Sequence, residues 1–257
     1  MQITYDFHTH TTYSHGKGTI LENAIAAKEK GLKGIAITDH GFSHPAFGMK
    51  RKKLDKMRAD CIEAEMQTGV KVMLGVESNI CGISGKTDVK ATDYEALDVF
   101  GAGVHRFVYY ETPYDYLRLL GDTIFYSLTK IKPSKNLINY TTKLYINAIK
   151  KNPIDFISHL NYLVFCDAKE VAKCCADYGT YLEISTKKVH LSDKQWEEVF
   201  STDCKFIINS DAHSTKRIGD MELFNQLNSR VNVPIEKIVN LGDELPTLRF
   251  AEFKKKL

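Results

Sequence analysis

Three histidines fall within eight residues near the start of the chain: His8, His10 and His15 in DFHTHTTYSHG (6–16). Imidazole donates a lone pair to metals and changes charge near neutral pH. Two of them at i and i+2 in extended chain project to the same side. The same chemistry recurs downstream: Asp39 and His40 in AITDH, Glu77 in LGVE, His105 in GAGVH, His159 in DFISH, and Asp211 with His213 in NSDAH. Seven of the nine histidines, with Glu77 and Asp211, therefore stand at or just after the ends of apolar runs. A lone imidazole is ordinarily satisfied by a hydrogen bond. Seven in one crevice with two carboxylates require cations to occupy it. Nine donors exceed one tetrahedral ion and suffice for two or three, provided a carboxylate bridges. Imidazole and carboxylate without thiolate suit zinc, manganese or iron.

Such a crevice needs elements that bring distant segments together. Short apolar runs at 3–8, 34–38, 71–77, 98–104, 155–159, 180–185 and 205–210 alternate with amphipathic stretches of helical length at 19–30, 49–67, 136–150, 167–178 and 192–200. Thr19 with Glu22 three residues on reads as a capping box, and Gly31 suits a left-handed helix end. Seven strands, most followed by a helix, predict a parallel sheet covered by helices, and this length favours closure into an α/β barrel. Strand C-termini of such a barrel converge on one face, where the donors above would meet. One stretch breaks the rhythm. From 106 to about 135 the chain is rich in tyrosine and phenylalanine without a clear repeat, read either as an excursion over the barrel mouth or as a packed helical insertion.

The composition is that of one ordinary globular domain spanning 1–257: 43% apolar, 26% charged, with no repeat or low-complexity linker. A formal charge of +3 argues against nucleic acid as a partner. No apolar run reaches membrane-spanning length, and Asp6 and His8 precede any signal-peptide core, so the expectation is a cytoplasmic protein. The six cysteines lack CxxC spacing and are expected to be reduced and buried.

The HxH at 8–10, His15, the TDH at 38–40, Glu77 in GVE, His105 in GVH, His159 in SHL and the SDAH at 210–213 together resemble, in order and spacing, the polymerase and histidinol phosphatase (PHP) family. The resemblance implies a distorted (β/α)7 barrel, a trinuclear metal centre and phosphoesterase activity. It implies that His8, His10, Glu77 and Asp211 hold one ion, that Glu77, His105 and His159 hold a second, and that His15, His40 and His213 hold the third. Glu77 would be the bridging carboxylate, with Asp6 and Asp39 as acceptors that orient imidazoles. The aromatic stretch after His105 is longer than in compact members of the family.

Clustered divalent ions supply charge for phosphoryl oxygens, a hydroxide nucleophile at neutral pH and stabilisation of the leaving group. The leading expectation is hydrolysis of a small phosphomonoester, histidinol phosphate included. Asp211, a metal-bound water or His44 in GFSHP would protonate the leaving group, and Arg106, Lys187, Lys188 and Arg217 near the mouth are candidates to clamp the phosphate. His190 reads as surface. The alternatives are a phosphodiesterase or 3′–5′ exonuclease, which would use Arg106, Arg118 and the neighbouring tyrosines as a strand-binding channel, metal-assisted amide hydrolysis, or a non-catalytic metal-binding module.

Overall fold

Seven short strands, each buried along nearly its whole length, form a single parallel sheet in sequence order, as apolar runs separated by helices require. The computed structural model describes residues 1–129, 131 and 133–257; positions 130 and 132, within the aromatic stretch, lie outside the described residues. The strands are β1 (Tyr5–Thr9), β2 (Gly34–Ile37), β3 (Lys71–Asn79), β4 (Val99–Gly103), β5 (Phe156–Ile157), β6 (Tyr181–Ser185) and β7 (Phe206–Asn209). Around them run α1 (Ile20–Glu29), α2 (Leu54–Thr68), α3 (Pro113–Asp115), α4 (Asp122–Thr129), α5 (Lys135–Lys151), α6 (Ala168–Tyr178), α7 (Asp193–Phe200), α8 (Glu222–Asn228) and α9 (Arg249–Lys254). The Thr19–Glu22 capping box starts α1, and left-handed Gly31 follows it at φ +74°.

Alternation along the strands splits the apolar side chains into two layers. Tyr5, Phe7, Ala36, Met73, Val99, Phe156, Tyr181 and Ile207 cluster inside the barrel with Leu248. Ile35, Ile37, Val72, Leu74, Phe100, Leu182 and Ile208 face outward into the helix layer. By this parity Glu77, Glu183 and Asn209 also point inward. His8 and His10 have the opposite parity to Phe7, and a register shift between Asp6 and Thr9 re-aims them: three steps along β1 match two along β2.

The barrel is nearly closed. Between β1 and β7 there is one backbone bridge, Thr9 with Ala212, carried by His10 N to Ala212 O (2.8 Å) and Ala212 N to His8 O (3.2 Å). Elsewhere along this seam the backbone of residues 238–240, which bonds Phe206 O and Thr4 N, and side-chain amides replace the ladder. Phe7 N donates to Asn209 Oδ1 (3.0 Å). Buried Asn240 accepts from Ile208 N (3.0 Å) and donates to Tyr5 O (2.8 Å) and Ile208 O (2.6 Å). All six cysteines are free and buried.

Two departures from the sequence reading have physical causes. The expected strand 155–159 shortens to Phe156–Ile157 because His159 turns the chain at φ +30°. The aromatic stretch carries α3, a π-helical turn at Tyr116–Gly121 and α4, and the wider turn spoils the 3.6-residue repeat by which such a segment is read. Among the described residues no helix is long and apolar enough to cross a membrane.

Candidate metal centre

The C-terminal ends of the strands deliver the polar residues to one buried cluster. Glu77, at the end of β3, is its hub. Its Oε1 lies 2.6 Å from His159 Nε2, 3.0 Å from His105 Nε2 and 3.3 Å from His8 Nε2. Its Oε2 lies 2.8 Å from His40 Nδ1 and 3.6 Å from His10 Nε2. Asp211 Oδ1 lies 3.2 Å from His10 Nε2, 3.7 Å from His8 Nε2 and 3.3 Å from His213 Nδ1. The His15 ring is exposed and stacks on His40 with centroids 4.7 Å apart and planes 8° apart; it is 4.3 Å from the His213 ring. The structure thus gathers all nine donors. Among the described residues three groups offer ligand atoms within 4.8 Å of one another: His8, His10 and Asp211; His40, Glu77 and His105; His10, His40 and His213. His159 and His15 border these groups.

Backbone strain sits where the donors are delivered: His159 and Asp211 both hold positive φ, +30° and +46°. Close approach matters too. A Cβ at Gly103 would lie 2.3 Å from Ser158 Oγ and 3.0 Å from His159 Cε1, so only glycine lets β4 pass beside that imidazole.

Electrostatics prepare the cluster for cations. Burial pushes the Glu77 carboxyl up, but the surrounding imidazoles of His105, His8, His159 and His40 favour its ionised form and hold it well below the usual carboxylate range. Asp211 is likewise held low against its burial, by His8, His10 and Lys187. Burial drives His10 far down, His40 to about 3 and His213 to about 4, so these rings are neutral lone-pair donors at pH 7. Four buried atoms, His10 Nδ1, His40 Nδ1, His105 Nε2 and Glu77 Oε2, have no hydrogen-bond partner. His40 Nδ1 and Glu77 Oε2 are 2.8 Å apart, yet their directions do not make a hydrogen bond. Buried, unpartnered donors of this kind fit divalent ions.

The groups that orient the imidazoles differ from the expected ones. Asp6 and Asp39 accept no imidazole proton. Asp6 accepts from the backbone of His8 (3.3 Å), Ser210 (3.1 Å) and Gly219 (2.9 Å). Asp39 accepts from Thr11 N (2.7 Å), Thr11 Oγ1 (2.5 Å) and the Ser14 hydroxyl, and burial raises it to about 6. Both carboxylates pin loops. Two imidazoles are instead oriented by Glu183, which takes His8 Nδ1–H at 2.7 Å, and by Asn79, whose Oδ1 meets His105 Nδ1 at 2.8 Å. Glu183 also accepts from Asn209 Nδ2 (3.0 Å) and His159 N (2.7 Å). A glutamate at an inward position of a buried strand, as in YLEIS, was the available signal for it.

At the rim, Lys187 Nζ lies 3.1 Å from Asp211 Oδ2 and 3.0 Å from His213 Nδ1. Arg217 donates to Thr186 O (2.8 Å) and pairs with Asp220 (3.0 Å); Arg106 donates to Ser127 Oγ (2.8 Å). Lys188 contacts the Tyr162 hydroxyl at 2.7 Å. His44 Nδ1 accepts from Phe47 N (3.0 Å), which leaves its proton on Nε2, and its ring is 6.2 Å from that of His40. His190 is not simply surface. Its ring packs 6.1 Å from His159 and 5.4 Å from Tyr162, with Nε2 buried and unpartnered.

Fold and site together define a class: a parallel β/α barrel with an imidazole–carboxylate centre at the C-terminal ends of its strands. Comparison with known proteins makes this specific. The PHP domain family model matches residues 6–187. A protein of Caldanaerobacter subterraneus named a probable phosphatase is 27% identical over 100% of this chain and 94% of its own. One of Thermoanaerobacter sp. with the same description is 30% identical over 86% and 84%. Among solved structures, the histidinol phosphate phosphatase of Lactococcus lactis, complexed with zinc, L-histidinol and phosphate, matches with a TM-score of 0.60 at 15% identity, over 90% of this chain and 94% of that one. The chain belongs to the PHP domain family. It is a hydrolase of the phosphatase class.

Proposed function

We propose that this phosphatase hydrolyses a small phosphomonoester, histidinol phosphate being the first to test, with two or three divalent ions held by His8, His10, His15, His40, Glu77, His105, His159, Asp211 and His213. The observation that carries the reading is the convergence of Glu77 Oε2, His40 Nδ1 and His105 Nε2, buried and without hydrogen-bond partners, around one carboxylate shared by five imidazoles. Bound zinc, manganese or iron supplies Lewis acidity and a nucleophile at neutral pH.

The protein's own groups do the rest. Glu77 and Asp211 keep their charge inside the barrel because the surrounding imidazoles favour it. Lys187, beside Asp211 and His213, is placed to donate to a phosphoryl oxygen at the edge of the centre, and Arg106 and Arg217 flank the mouth as further phosphate contacts. His44 carries its proton on Nε2 and serves as hydrogen-bond donor to the departing alkoxide. The net charge of +3 leaves nucleic acid without a broad electrostatic footprint.

The test is release of inorganic phosphate from a panel of phosphomonoesters by metal-stripped protein with zinc or manganese restored. Metal-dependent release supports the reading and ranks the leaving groups. No release from any monoester refutes it.

A further inference from the structure

Asp88 lies outside every strand and helix, yet it ties the loop after His40 to the end of β3 that bears Glu77. Its Oδ1 accepts from Ser78 Oγ (2.6 Å) and Asn79 N (3.0 Å); its Oδ2 accepts from Asn79 Nδ2 (2.6 Å) and Ser43 N (2.8 Å). Gly41, next to His40, leaves room for it: a Cβ there would lie 2.5 Å from both carboxylate oxygens.

The bond from Asn79 Nδ2 decides which way that side-chain amide faces. A carboxylate accepting four hydrogen bonds takes only the NH2 end, so Oδ1 must face the other way, where it meets His105 Nδ1 at 2.8 Å. An amide oxygen at that distance fixes the His105 proton on Nδ1. Nε2 is then a bare lone pair, 3.0 Å from Glu77 Oε1 and without a hydrogen-bond partner. We propose that Asp88 is a positioning residue that sets the tautomer of His105 through the Asn79 amide, so that Nε2 faces the metal centre as a ligand. This rests on the metal-centre reading above and is independent of the substrate.

The test uses full-length protein. Histidine side-chain nitrogen NMR on the metal-stripped form reads the tautomer, with the His105 signal assigned by its loss in His105→Gln, and chelator-competition titration reads zinc affinity. Wild type is expected to hold the proton on Nδ1. In Asp88→Asn the Asn79 amide is free to turn its NH2 toward His105, so the Nδ1–H preference is lost and zinc binds roughly 10–100-fold more weakly. The exchange Asn79→Asp with Asp88→Asn restores a carboxylate acceptor for Nδ1–H and is expected to recover the tautomer. An unchanged tautomer in Asp88→Asn overturns the proposal, as does an exchange variant no better than the single one. Should Asp88→Asn fail to fold, Asn79→Leu removes the amide while leaving Asp88 its backbone and serine donors; loss of the Nδ1–H preference supports the proposal and its retention overturns it. Both readouts precede any turnover, so a failed phosphatase reading leaves a distinct signature.

Discussion

Replacing Glu183 by glutamine changes two oxygens into one oxygen and one NH2 at a site where every neighbour is a donor. His8 Nδ1 and Asn209 Nδ2 approach Oε1 at 2.7 and 3.0 Å, and His159 N approaches Oε2 at 2.7 Å. Whichever way the amide turns, its NH2 meets a buried N–H head on. One lost hydrogen bond and one unsatisfied donor cost about 1–3 kcal/mol. For a chain of this size that is a fall of roughly 2–12 °C in the unfolding midpoint of the metal-stripped protein. His8 also loses the charged acceptor that keeps its proton on Nδ1 and its Nε2 toward Glu77 and Asp211. Zinc affinity is expected to fall roughly 10–100-fold, with activity partly recovered at high metal. Thermal unfolding, chelator-competition titration and phosphate release against added zinc measure the three effects. A variant that unfolds earlier but binds zinc like wild type would show that Glu183 is structural only.

Other perturbations separate the remaining roles. Glu77→Gln and His159→Ala are each expected to retain the fold and lose roughly 10³-fold in turnover, since several kcal/mol of transition-state stabilisation is at stake; full activity in either refutes the shared-carboxylate arrangement. Chelation is expected to abolish phosphate release and lower the midpoint by roughly 5–10 °C, the linkage contribution of ligand present at about a hundred times its Kd; an unshifted midpoint on chelation counts against metal binding. Asn240→Leu strips the partners from Tyr5 O and from both backbone groups of Ile208, and is expected to cost about 3–5 kcal/mol in denaturant unfolding, against under 1 kcal/mol if the seam does not depend on it. Asp155 is buried where it accepts from Phe100 N and Phe250 N, each at 2.8 Å, and burial raises it to about 7. A folded-state value above the unfolded 3.8 means its contribution is fully present below pH 4 and is lost as pH rises through 7, by roughly 4 kcal/mol. Stability of wild type relative to Asp155→Asn should therefore decline over that window; a difference independent of pH removes Asp155 as the cause.

The sequence was most legible where one rule governed one element. Apolar runs ending in histidine or acid gave the strands and the face on which the donors meet, and the Thr19–Glu22 and Gly31 signals gave α1. What escaped it depends on contacts between segments. The register shift in β1 that turns His8 and His10 inward is visible only beside β2. Asp6 and Asp39 stood near imidazoles in sequence but bind backbone amides, whereas Glu183 and Asn79, remote in sequence, hold the rings. His190 has no periodic signal, and only the fold brings it against His159.

The seam between β1 and β7 has a dynamic consequence. A barrel stitched there by one direct backbone bridge, the backbone of residues 238–240 and a few amide side chains has a cooperative weak line, and strand amides along it should exchange with solvent through local opening sooner than those of β2 to β4. His8 and His10 stand on one side of that line, and Asp211 and His213 on the other. An ion gripped from both sides would act as a clasp on the breathing of the barrel, so catalytic loading and the suppression of strand-edge opening would be one event.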